Sequence, residues 1–189
     1  MQTRKIENAK LEMVDKFVRY TNMNIFLTGK AGTGKTTFLR GLAENPTKRL
    51  VILAPTGVAA INAGGQTIHS FFQLEFGPQI PEDSIDRGDM SQRTPADAIK
   101  RASALQYQKM SAVKLKIIRS LELLVIDEIS MVRADLLDAV DAVLRRVRRN
   151  DKPFGGVQLL MIGDIHQLAP VAKEEEWALF LLHRKYGNS

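Results

Sequence analysis

Eight residues constrain this chain more than all the others. Gly29-Lys30-Ala31-Gly32-Thr33-Gly34-Lys35-Thr36 fills the pattern G-x-x-x-x-G-K-[S/T] completely. Glycines at these places let backbone N–H groups converge on oxyanions, and a helix starting at the lysine adds the positive end of its dipole. The four fixed positions meet by chance in about one chain in a hundred of this length, and here the flanks fit as well. Asn24-Ile25-Phe26-Leu27-Thr28 is a short β-prone run, and residues 36–43 resume with helix-forming residues. Strand, glycine loop and helix in that order predict a triphosphate cradle lined by Gly29, Ala31, Gly32, Thr33, Gly34, Lys35, Thr36 and Thr37. In such a cradle the Lys35 ammonium reaches the β and γ phosphates of ATP, and the Thr36 hydroxyl ligates Mg²⁺.

The rest of the chain repeats the alternation that such a loop requires. Residues 6–18 carry apolar positions at helical spacing (Ile6, Ala9, Met13, Val14, Phe17, Val18), which predicts a leading helix packed on the core within residues 1–21. A second strand is expected at Leu50-Val51-Ile52-Leu53-Ala54, closed by Pro55-Thr56-Gly57, with a short helix over 58–63. Residues 77–95 hold three prolines and two glycines without apolar periodicity, a long functional or mobile connection for a compact domain. A helix is expected over 98–121, interrupted or restarted at Ser111. A wholly apolar run, 123–126, and a second, 157–162, apolar except for Gln158, read as buried strands of a parallel sheet. Between them, 134–149 sets Leu136, Leu137, Val140, Val143, Leu144 and Val147 on one side, with acids early and arginines late, complementing the helix dipole. Strands alternating with helices give an α/β fold, a mostly parallel sheet covered on both faces, with ligands at the carboxyl ends of the strands.

Both apolar strands end in chemistry. Asp127-Glu128 follows the first. One carboxylate at a strand end can hold Mg²⁺ and its neighbour can orient or deprotonate an attacking water, the two groups a phosphate loop lacks for hydrolysis. Glu128 is therefore the expected base and Asp127 the metal ligand, while a P-loop kinase or another non-translocating ATPase is the alternative. Gly163-Asp164-Ile165-His166-Gln167-Leu168 follows the second strand, and the Gln167 amide is placed to sense the terminal phosphate; His166 reads as structural or solvent-facing.

Taken together, FLTGKAGTGKTTFL, LAPTGVAAINAGGQTIHSFF, LLVIDEISMV and GDIHQLAPV closely resemble the Pif-type helicases, 5′-to-3′ DNA motors of superfamily one, over about residues 24–171. The resemblance implies a three-layer, RecA-like P-loop NTPase domain over 22–189, with ATP and Mg²⁺ as ligands and single-stranded DNA as partner. It further implies that Lys35, Glu128 and Gln167 are catalytic and that DNA repair and telomere maintenance are the setting. By the same likeness Pro55, Thr56, Gly57, Thr67, His69 and Phe71 lie along the DNA track, although adjacent Phe71 and Phe72 read by themselves as core residues. Asp164 and Gln167 would link nucleotide to DNA movement. The sequence departs from the pattern at Ala169, where proline is usual, and shows no glutamine motif for adenine over residues 8–20. The resemblance also calls for a second RecA-like domain bearing arginines for the γ phosphate, which these 189 residues do not include, so weak hydrolysis is expected from this stretch alone.

Composition sets the outer bounds. A net charge of +6 suits anionic partners. Zero cysteines exclude disulfides and thiolate metal sites. No run approaches 18 apolar residues and no secretory pattern opens the chain, so a monomer in the cytoplasm, away from membranes, is expected. The arginines of 145–149 read as a solvated helix end rather than a DNA contact.

Overall fold

Because four of its five strands carry apolar residues at nearly every position, the sheet has to be buried on both faces, and it is. The computed structural model describes residues 9–30, 32–79, 110–164, 166 and 167. Among these, α1 (Ala9–Tyr20) leads into β1 (Ile25–Thr28), α2 (Lys35–Glu44) and β2 (Leu50–Ala54). Then come α3 (Gly57–Ala63), β3 (Gln66–Thr67), α4 (Ile68–Phe72), α5 (Ala112–Ser120), β4 (Leu123–Ile126), α6 (Ala134–Arg148) and β5 (Gln158–Gly163). The strands form one sheet in the order β1-β5-β4-β2-β3, and every pairing is parallel.

Alternate residues of the strands feed two separate cores. On one face Leu53, Leu124, Ile126 and Leu159 pack with Ile68, Phe71 and Phe72 of α4, Ile118 of α5 and Leu136, Val140, Val143 and Leu144 of α6. On the other, Ile52, Leu123, Val125, Leu160 and Ile162 meet Leu11 and Val18 of α1 and Phe38, Leu39 and Leu42 of α2. The expected three layers are thus present, and side-chain alternation along each strand is what divides them.

Most expected elements fall within a residue or two of their places, and the exceptions have local causes. Ser111 does start a helix, its hydroxyl accepting the Lys114 N–H at 3.2 Å as the cap of α5. Residues 80–109 lie outside the described residues, and with them most of the 77–95 connection and the 98–109 half of the expected helix. The leading helix is rotated from its expected face. Leu11 and Val18 are buried, with Val14 packed partly against them, whereas Met13 is 59% exposed and Ala9 and Phe17 are also exposed. Two apolar stripes compete on this helix, and the one containing Leu11 wins because that side chain closes against the glycine loop described below.

The arginine-rich end of α6 is tied into the fold. Arg145 pairs with Asp141 at 2.7 Å. Arg148 donates to the carbonyls of Ile118, Arg119, Leu121 and Gly155 at 2.8–3.0 Å, satisfying the end of α5. Glycine is required at Gly65 by space alone, since a Cβ there would sit 2.2 Å from the Ile52 carbonyl oxygen.

Candidate active site

Strand order decides which loops can meet. In the parallel register Thr28 lies beside Gly163, Ile126 beside Met161, Leu53 beside Ile126 and Ala54 beside Thr67. All carboxyl ends therefore share one edge. Because β5 is inserted between β1 and β4, the segment leaving Gly163 emerges between the glycine loop and the acidic pair.

At the first strand end, Gly32 and Gly34 adopt φ of +79° and +87°, the left-handed region that side-chain-bearing residues avoid. Gly34 opens α2 with no side chain capping its first N–H groups and no acid in its first turn. A helix start left this way suits an anion. Inside the loop, the Thr33 hydroxyl donates to the Lys30 carbonyl at 2.9 Å. The Lys35 ammonium folds back to donate to the Gly29 carbonyl and, at 2.9 Å, to that of Lys30. Lys35 is thus held over the loop while the side chains of Thr36 and Thr37 are exposed on the first turn. Ala31 lies outside the described residues. Leu11 of α1, which the sequence did not single out, closes the loop from behind: its Cδ1 is 3.4 Å from where a Gly34 Cβ would be.

The acidic pair sits across the inserted strand. Asp127 anchors its backbone N–H on the Leu53 carbonyl at 2.8 Å. Burial raises its carboxyl above the usual range, opposed by the Glu128 backbone N–H and by Lys35. Glu128 takes a left-handed backbone, φ +52° and ψ +44°, uncommon outside glycine, asparagine and aspartate. Burial likewise raises its carboxyl, with further upward push from Asp127 and Asp164 and a counteracting pull from Lys35. One ammonium and two carboxyls, from three different strand ends, thus act on Glu128.

Asp164 is only 8% exposed. Its Oδ1 accepts the His166 N–H at 3.0 Å and its carbonyl accepts the Gln167 N–H at 3.0 Å, a tight turn that leaves Gln167 and His166 exposed. Gly163 explains the close approach, since a Cβ there would lie 2.8 Å from Ile129 Cγ2 and 3.2 Å from the Ile129 and Ser130 nitrogens. The turn after Glu128 and the end of β5 are in contact.

At the other two strand ends the groups are neutral. Thr56 caps α3 by accepting the Ala59 N–H, and Thr67 caps α4 by accepting the Ser70 N–H, both at 3.2 Å. Thr56 and Gly57 are exposed and Pro55 is half-buried. His69 is half-buried with Nδ1 lacking a hydrogen bond, and burial lowers its pKa while Asp135 opposes this. Phe71 is a correction to the DNA track implied by resemblance. Its ring is 3% exposed, edge-on to Phe72 with centroids 4.9 Å apart, and lies beneath the Lys114 ammonium. Facing inward from a short amphipathic helix, it has no free face to stack a base, and the core reading holds.

Asp135 does more than complement the α6 dipole. Arg133 Nε and Nη2 donate to its carboxylate at 3.0 and 3.1 Å, and the same group accepts the Gln79 backbone N–H at 2.7 Å. No sequence pattern could pair positions 79 and 135.

A parallel sheet of this order, with a glycine loop on β1, an acidic pair on β4 and the inserted β5 between them, defines a RecA-like P-loop nucleoside triphosphatase core. The family is as definite: a PIF1-like helicase family model matches residues 3–182, and the chain belongs to that family. It is 40% identical over 163 residues to human ATP-dependent DNA helicase PIF1, covering 86% of this chain and 22% of that protein. It is 36% identical over 170 residues to ATP-dependent DNA helicase RRM3 of Saccharomyces cerevisiae, covering 87% and 21%. Among solved structures, Pif1 helicase from Bacteroides in complex with ADP-AlF3 and single-stranded DNA superposes with a TM-score of 0.76 at 42% identity, covering 94% of this chain and 36% of that one. The chain therefore spans about a fifth of the length of these curated relatives.

Proposed function

We propose that this chain binds ATP with Mg²⁺ and hydrolyses it, as the nucleotide-gripping part of a motor that moves along single-stranded DNA. The observation that carries this reading is the convergence of Lys35, Asp127, Glu128 and Asp164 from three strand ends beside a helix start free of side-chain caps. In it the loop from Gly29 to Thr37 cradles the phosphates. Lys35 exchanges its two loop carbonyls for phosphate oxygens, a stronger charge-assisted pairing. Among the described residues no three His, Cys, Asp or Glu side chains cluster as a metal cage. Mg²⁺ would need none, since it is commonly held by one or two protein oxygens together with phosphate oxygens and waters. Asp127 and Thr36 are the residues that would hold it.

Glu128, raised in pKa by burial and by the neighbouring Asp127, is the base for the attacking water, and Gln167 senses the γ phosphate. Pro55, Thr56, Gly57, Thr67 and His69 line the DNA track. The Bacteroides relative solved with ADP-AlF3 and single-stranded DNA supports both ligands. A second RecA-like domain is the expected partner, since an arginine from such a partner raises rates by about 10³ to 10⁵. Unwinding is a property of the pair.

The test is γ-labelled ATP incubated with the chain, with and without oligo(dT). Slow release of inorganic phosphate, faster with the oligonucleotide, is expected. Label transferred to a small acceptor would assign the site to a kinase, and no release at all would remove hydrolysis.

A further inference from the structure

The segment after α4 ends in a shape that its sequence does not announce. Leu74 turns back into the core, with its backbone N–H on the His69 carbonyl at 3.0 Å. Gln79 then ties the following loop from two directions. Its side-chain amide donates to the carbonyls of Glu75 at 2.8 Å and Gly77 at 3.2 Å, and its backbone N–H donates to Asp135 at 2.7 Å. At the apex stands Phe76, 89% exposed. Its ring stacks on the His69 imidazole with centroids 4.6 Å apart and planes 24° from parallel.

An exposed phenylalanine on a floppy loop would be unremarkable, since single apolar residues are common on surfaces. Here four hydrogen bonds fix the loop, and one ring face rests on His69 while the other meets solvent. Both neighbours, Glu75 and Gly77, are exposed and offer no apolar surface. A protein-docking patch would be broader and contiguous. What a lone, flat, preorganised aromatic face accepts is another flat aromatic.

The position narrows the guest. His69 lies two residues past Thr67 at the carboxyl end of β3, on the edge to which the DNA track is assigned. We propose that Phe76, backed by His69, is the stacking platform for one nucleobase of a single strand. This rests on the single-stranded DNA reading given under Proposed function. Glu75 disfavours phosphate at the same spot, so the contact is with a base face and is indifferent to sequence.

The experiment is fluorescence anisotropy of labelled oligo(dT) with the 189-residue chain at low salt. Phe76→Ala should weaken binding about tenfold, whereas Phe76→Tyr and Phe76→Trp should keep it. The salt dependence should keep its slope, because no phosphate contact is removed. Scanning a single abasic position through the oligonucleotide should find one place that reproduces the loss in the parent and adds nothing in Phe76→Ala. Binding by Phe76→Ala within twofold of the parent overturns the platform and leaves the DNA reading standing. An equal loss in all three variants also overturns it, since an aromatic ring of any kind should serve. A parent that does not bind oligo(dT) overturns the DNA reading, and the platform with it.

Discussion

The two halves of the functional edge are built on opposite principles. At the ends of β1, β5 and β4, charged side chains converge: Lys35 pulls the Asp127 and Glu128 carboxyls down while burial pushes both up, and Asp127 and Asp164 push Glu128 up further. At the ends of β2 and β3, the side chains are neutral, the threonine hydroxyls are occupied as helix caps, and shape is set by a stack and a few loop hydrogen bonds. Charge convergence makes a site for chemistry on an anion. Caps and stacking make a surface of neutral groups, which suits the single strand proposed above. The difference teaches that the first half should fail through loss of one group, and the second only through loss of a surface.

The strongest way to break this contrast is at Glu128. Glu128→Gln should keep nucleotide affinity, read by a fluorescent ATP analogue, while phosphate release falls by about 10² to 10⁴, the range for a lost general base. Normal turnover in that variant would mean that the convergence of acids is not the seat of hydrolysis.

Next in size is the pair of phenylalanines. Phe71→Ala removes a buried ring from the core shared by α4, α5 and the sheet, and should cost about 3 to 5 kcal/mol of stability in chemical denaturation. Phe76→Ala should leave the unfolding midpoint where it is, because an 89% exposed ring has little burial to lose. A Phe71 variant as stable as the parent would restore that residue as a candidate for the track.

Lys35 sharpens the charged half at a smaller scale. In the free protein its ammonium bonds to loop carbonyls, so Lys35→Ala should leave the fold intact. Nucleotide affinity should fall about 10- to 100-fold, the worth of a hydrogen bond to a charged group. Unchanged affinity by calorimetry would show that the backbone cradle alone grips the phosphates.

How much of this was legible beforehand follows the same division. The glycine loop and the acidic pair could be placed at strand ends from sequence because each is a short local pattern next to a strand whose apolar run is unambiguous. The parallel sheet followed from alternation of the two periodicities. On α1 the sequence places Val14 and Val18 on the core but also Met13 and Phe17, which face out, because Met13 and Leu11 lie on competing stripes and only the tertiary contact of Leu11 with Gly34 chooses between them. On the neutral half, sequence could name an aromatic segment but not which ring looks outward. Phe71 and Phe76 differ in exposure through a left-handed turn at Gln73 (φ +54°) and through the Gln79–Asp135 bond across 56 positions. Such facts have no local signature.

The smallest expected effect separates the two duties of Thr67. Its hydroxyl oxygen accepts the Ser70 N–H, which leaves the hydroxyl hydrogen free to donate to a passing phosphate. Thr67→Ala should cost about 1 kcal/mol, the usual worth of such a cap, and Thr67→Ser should restore it. Thr67→Asp keeps the cap, because a carboxylate accepts the same N–H, but it has no hydrogen to donate and adds a negative charge. Parent-like stability together with weakened oligo(dT) binding in Thr67→Asp would show that the threonine faces the strand as well as starting the helix. Parent-like binding would leave it a cap and nothing more, and would move the track away from β3 toward the exposed Thr56 on its neighbour.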